Sequence, residues 1–246
     1  MKTSNKLFIA VVILVLVSIT IYDFQLRAAY NTGQFRKPYS GYVNLQLQDF
    51  KVINLRSASI INIKLVKGPF KVLASPKAMD LIKTTRHGDT LTIYAHFKYN
   101  FYYTGHEDVM YISCPELSAF IADAQYTIGS KQLTDTVAKD FSRRVTEISG
   151  FSSPSLRIIQ DHGSKLLLSN DTIAVVDAVA GLSSGSASSI VLGENNRLGT
   201  ARLDIRHGSR LWIRAGGIDQ LDYHIADSAQ LIVSGAAQHI LKTTQP

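Results

Sequence analysis

"HGSKLLL" at residues 162–168 and "HGSRLWI" at residues 207–213 read as one phrase written twice. "SASSIVL" from Ser186 and "DSAQLIV" from Asp227 fit the same frame. Superposed, the four segments give an apolar column Leu166, Ile190, Leu211, Leu231 and a second column Leu168, Leu192, Ile213, Val233, with Ile158, Leu182, Leu203 and Tyr223 as a third upstream. The steps are 24, 21 and 20 residues. Steps near twenty, with a small or serine-containing corner and a strand on either side, mark stacked coils of a parallel β-helix or β-solenoid, because one coil cannot bury its apolar face alone. A β-sandwich also has regular strands but does not require the same corner residues to recur. Tyr126 and Ile128 lie 40 residues before Leu166 and Leu168, which leaves room for one degenerate coil around Val145 and Ile148.

The earlier part of the chain has the period of two that strands require. Val43, Leu45 and Leu47 alternate, as do Ile61, Ile63 and Leu65, then Phe70, Val72 and Ala74 after the turn "KGPF". "SPKAMDLIK", residues 75–83, reads as a short helix with Ser75 at its N-cap and Pro76 at its first position. "HGD" then turns the chain into Leu91, Ile93 and Ala95, and Val109, Tyr111 and Ser113 predict a strand stopped by Pro115.

Ahead of this β region lies "LFIAVVILVLVSITIY", residues 7–22, uncharged and followed by Asp23. At about 1.5 Å per residue it is a little short for a hydrocarbon layer of about 30 Å, which places Ser18, Thr20 and Tyr22 near an interface. A signal peptide shares the basic start and apolar centre, but its cleavage site wants small residues in an A-x-A-like pattern. Arg27-Ala28-Ala29 puts a cation where a small side chain belongs, so an uncleaved signal anchor over residues 1–30 is expected. Residues 31–41 read as a linker carrying Gly, Pro and Ser, and residues 42–246 as one β domain. Lys2 and Lys6 on one side face Arg27, Arg36 and Lys37 on the other, and a short basic N-terminus is expected to stay inside. That orientation puts the β domain in the periplasm, anchored to the inner membrane, or at the surface if the segment is cut.

With 246 residues and 46% apolar side chains the chain is able to build a sizeable core. The net charge is +7, yet no basic run exceeds the pairs Arg36-Lys37 and Arg143-Arg144, so a solvated basic surface is expected and no nucleic-acid partner. A single cysteine, Cys114, forbids an internal disulfide; with no His or Asn pattern beside it, it reads as a buried, inert thiol.

The register places His162, Ser186, His207 and Asp227 in one corner column. Adjacent coils stack at about 4.8 Å, which would make Ser186, His207 and Asp227 neighbours in the order nucleophile, base, orienter. No oxyanion-forming Gly loop accompanies Ser186, and the simpler reading is four polar residues at a solvent-facing turn. His162 and His207 would sit about two coil heights apart without a spaced zinc-type partner. No phosphate-cradling loop is present. No catalytic, cofactor or metal residues are therefore assigned. The one ligand-facing candidate is "YAHFKYNFYY", residues 94–103, where Phe97, Tyr99, Phe101 and Tyr103 would line one face of a strand and stack on sugar rings, with Lys98 and Tyr102 turned the other way.

"FKVINLRSASIINIKLVKGPFKVLA", "DTLTI", "VMYISCPELSAF" and the Gly-Ser coils that follow resemble the head GIN domain family of bacterial auto-transporter adhesins, over residues 50–241. That resemblance implies an exported envelope protein with a β-helix-like fold, and it brings no catalytic residues. Two departures stand out: Ala187-Ser188 and Ser228-Ala229 replace Gly-Ser corners, and the polar stretch 130–155 interrupts the coils. The expected role is a non-enzymatic module that binds an envelope polysaccharide or a protein partner, or scaffolds the envelope. A polysaccharide-acting enzyme and a purely structural protein are the alternatives. An enzyme would need clustered carboxylates, whereas Asp161, Asp177, Asp204, Asp222 and Asp227 fall mostly in different columns.

Overall fold

The computed structural model describes residues 3–33, 38–99, 108–137, 145–214 and 217–242, and the chain divides into two compact units, Met1–Gly41 and Tyr42–Pro246. The first unit is one helix, α1 (Thr3–Asn31), with no buried side chain. It runs nine residues beyond the uncharged stretch, and by length and composition it is able to cross a membrane, as an anchor or a signal sequence. Ser18 Oγ donates to the Leu14 carbonyl and Thr20 Oγ1 to that of Leu16, both at 2.8 Å. Their hydroxyls are thus satisfied inside the helix and need no interface.

The second unit is mainly β, in two sheets. One runs in the order β1 (Val43–Asn44), β4 (Lys71–Ala74), β7 (Met110–Cys114), β3 (Ile63–Lys67), β11 (Thr146–Ser149), β13 (Lys165–Ser169), β15 (Ser189–Leu192), β17 (Arg210–Ile213), β19 (Gln230–Val233). The other runs β10 (Lys131–Thr134), β9 (Gln125–Ile128), β6 (Thr90–Phe97), β2 (Val52–Leu55), β8 (Ala119–Ala122), β12 (Ser152–Gln160), β14 (Thr172–Ala180), β16 (Arg197–Ile205), β18 (Ile218–Ile225), with β5 (Ile82–His87) antiparallel to β6. Neither sheet closes on itself. From β11 onward each strand pairs in parallel with the strand two places on, so every circuit of the chain lays one strand in each sheet. The inward side chains of both sheets form one core.

Leu166, Ile190, Leu211 and Leu231 are direct neighbours across that ladder, as are Leu168, Leu192, Ile213 and Val233. Ile148 precedes Leu168 in the same row, on a strand where the sequence left room for one. The third column needs correcting. Ile158 faces Ala178, then Leu203, then Tyr223. Leu182 is 48% exposed because the extra residues of that circuit lie in the corner between β14 and β15, not in the strands. Tyr126 and Ile128 belong to the other sheet, on β9, and the neighbour of Ile148 on its far side is Leu65.

Two local expectations also change. Residues 75–83 form only a 3-10 turn, Pro76–Ala78, before Ile82 opens β5, whose β-branched Ile82, Thr84 and Thr85 favour the hairpin with β6. In β7 the inward set is Met110, Ile112 and Cys114, one residue out of phase with Val109, Tyr111 and Ser113. At the far end, a 3-10 turn Gly235–Ala237 and the short helix α2 (Gln238–Lys242) bring buried Ala237 and Ile240 against the core.

Candidate functional site

His162 and His207 occupy the same place on two circuits. Each is the second residue of a four-residue turn, closed by Ser164 N–H to the Asp161 carbonyl and by Ser209 N–H to that of Arg206. Both have the left-handed backbone, φ 49° and 53°, which His tolerates better than most residues. Their side chains then part company. His162 Nδ1 lies 2.6 Å from Asp123 Oδ1 and 3.7 Å from Asp161 Oδ2, and all three side chains are largely covered. Among the described residues His207 has no such partner.

Ser186 is fully buried, not solvent-facing, and its hydroxyl donates to the His162 carbonyl at 3.4 Å. Asp227 is exposed, and among the described residues no hydrogen bond joins it to His207. The column therefore does not assemble a nucleophile, base and orienter. Partial burial works against ionisation of Asp161, but hydrogen bonds from the Ser183 hydroxyl, the Ser183 N–H and the His162 N–H hold its carboxyl below the usual range. Sequence spacing missed Asp123 and Ser183, which come from the β8–β9 link and the long corner.

Inside the same corner runs a buried serine row, Ser164, Ser188 and Ser209, with Ser188 Oγ 3.0 Å from Ser209 Oγ. The opposite corner carries left-handed Asn170 and Asn195, whose side-chain amides pair at 3.2 Å. Beside them Asp171 and Asn196 share one place in successive circuits. Asn196 Nδ2 donates to the Leu168 and Gly193 carbonyls. Asp171 Oδ1 accepts from Phe151 N–H, while among the described residues the buried Oδ2 has no hydrogen-bond partner. Burial pushes the Asp171 carboxyl up to about 7.

Of the aromatic run, residues 94–99 are described. Phe97 ends β6 in the core, edge-on to Tyr126 with 6.2 Å between ring centroids. Tyr99 lies past the strand and is 75% exposed, with Lys98 Nζ 5.3 Å from its ring centre instead of turned away. Phe101 and Tyr103 lie outside the described residues. Cys114 is buried, and burial pushes its thiol up to about 12, the state of an unreactive side chain.

A concavity that the motif reading did not find lies on the outside of the second sheet. In β14 the inward residues Ile173 and Val176 are three apart, and in β16 so are Leu198 and Ala201, where strict alternation would separate them by two. The strands bend at that slip, and the bend is concave outward. Its column is Pro154, Ala174, Gly199, Asp219, and a Cβ on Gly199 would sit 2.6 Å from the Ala174 carbonyl oxygen. The resulting groove has a volume of about 570 Å³ and crosses successive circuits, with Ser152, Ser153, Thr172 and Arg197 along one side. The signal for it was the three-residue apolar gap at the small residues Ala174 and Gly199.

The chain matches no protein-family model and no curated protein by sequence. Among solved structures it is similar to a "putative adhesin" from Bacteroides fragilis, at 10% identity and TM-score 0.42, over 78% of this chain and 94% of that one. It is similar also to a "putative lipid binding protein" from Parabacteroides distasonis, at 11% identity and TM-score 0.30, over 79% of this chain and 94% of that one.

Proposed function

We propose that the protein is a membrane-anchored, extracytoplasmic binding module of the bacterial envelope, a two-sheet β-solenoid of the head GIN type with no enzymatic role. The observation that carries this reading is the unbroken parallel ladder from β11 to β19 and from β8 to β18. Such a ladder repeats one outer surface at each circuit, which suits an extended ligand better than a small one. The 29-residue apolar helix supports attachment to a membrane, and the short basic start supports an inside N-terminus. The divergence of His162, Ser186, His207 and Asp227 removes the one catalytic arrangement suggested by the repeat.

Two measurements test the proposal. Alkaline phosphatase fused after Pro246 of the full chain should be active and sediment with membranes, and an inactive fusion places the β unit in the cytoplasm and overturns it. The detergent-solubilised chain should be retained on purified envelope polymer; no retention removes the binding role.

A further inference from the structure

We infer that the bend groove is a binding cleft for a neutral, linear glycan laid across the circuits, perpendicular to the strands. The inference rests on the reading of this protein as a binding module and specifies its ligand. Each circuit brings one residue to the floor of the groove, Pro154, Ala174, Gly199 and Asp219 in turn, at the strand spacing of about 4.8 Å. One pyranose ring per circuit fits that repeat. An extended peptide, at about 3.4 Å per residue and twice that between side chains on one face, falls out of step. Peptides also join sheets at free edges through their backbone, whereas the strands beneath the groove are already paired in the ladders β12 to β18.

Charge decides between glycan classes. Among the described residues Arg197 and Asp219 are the only charged ones lining the groove, and their charges balance on a chain whose net charge is +7. Among the described residues neither forms an ion pair, which leaves both planar groups available to sugar hydroxyls. Pro154 and Ala174 offer the small apolar footing on which the C–H face of a ring rests. The span from β12 to β18 is about 14 Å, room for roughly three or four rings.

Titration of the detergent-solubilised full chain with labelled cellohexaose, chitohexaose and maltohexaose tests the inference, with a polygalacturonate hexamer and a Ser/Gly-rich peptide alongside. At least one neutral oligosaccharide should bind, with less than about a two-fold change between low and high salt. Ala174→Trp, which fills the groove, and Asp219→Ala, which leaves its shape intact, should each weaken binding at least ten-fold without lowering the melting temperature. Tyr99→Ala should bind as the parent does. Preference for the anionic hexamer or for the peptide overturns the inference, as does binding that both groove variants retain. Retention on envelope polymer with no oligosaccharide binding sinks the groove alone, while loss of both sinks the binding module as well.

Discussion

Asp171 and Asn196 show what one atom does at a buried corner. The Asp171 pKa is raised in the folded state, so its stabilising contribution is complete below the unfolded value near 3.8 and is lost as pH rises through about 7. Asp171→Asn should copy the Asn196 arrangement and give the unpartnered position a donor. The variant should melt about 5 °C above the parent at pH 8 and nearly with it at pH 4.5, by calorimetry at both values. An equal shift at both would assign the gain to packing. The two histidines make a matched pair for a second comparison. His162→Ala loses the covered contact with Asp123 and should cost about 1–2 kcal/mol. His207→Ala, at the same turn position without that partner, should stay within about 0.5 kcal/mol in denaturant unfolding. Nothing in the phrase "HGS" distinguishes them, because the difference comes from Asp123, 39 residues away from His162.

At the scale of the element, the corners hold the register through buried polar atoms. Ser209 Oγ accepts from the Ser188 N–H at 3.1 Å and meets the Ser188 hydroxyl at 3.0 Å. Ser209→Ala strands both groups in the core and should cost about 1–3 kcal/mol in urea unfolding, more than the same change at exposed Ser184. Strands β13, β15, β17 and β19 were legible in the sequence because their apolar residues return to one row at nearly constant steps. The Leu182 assignment failed where four residues enter the β14–β15 corner and the count from strand to strand changes. The groove escaped notice for a related reason: a bend is a missing beat in alternation, and a motif search looks for residues that are present.

For the whole molecule, the two ends of the stack are finished differently. Antiparallel strands β1, β4, β9 and β10 terminate one end, and at the other α2 and its preceding turn cover the last core layer. A chain stopped after Ser234 should lose that cover and expose the parallel edges of β18 and β19. Concentration-dependent association in light scattering is expected, and a monodisperse truncated protein would show that the helix has no such role. The first half of the fold was the least legible part, since its strands interleave: β3 sits between β7 and β11, and β2 between β6 and β8. That interleaving sets an order of assembly. Successive late circuits close over about twenty residues, but Leu65 meets Ile148 across 83 positions of chain. The longer closure costs only about 1 kcal/mol more in loop entropy, yet in a chain delivered N-terminus first β3 is made long before the strand that pairs with its second edge. Until residue 149 has emerged, β3 waits with one edge bare, and the slowest and most aggregation-prone moment in the life of this protein falls before its most regular part has been made.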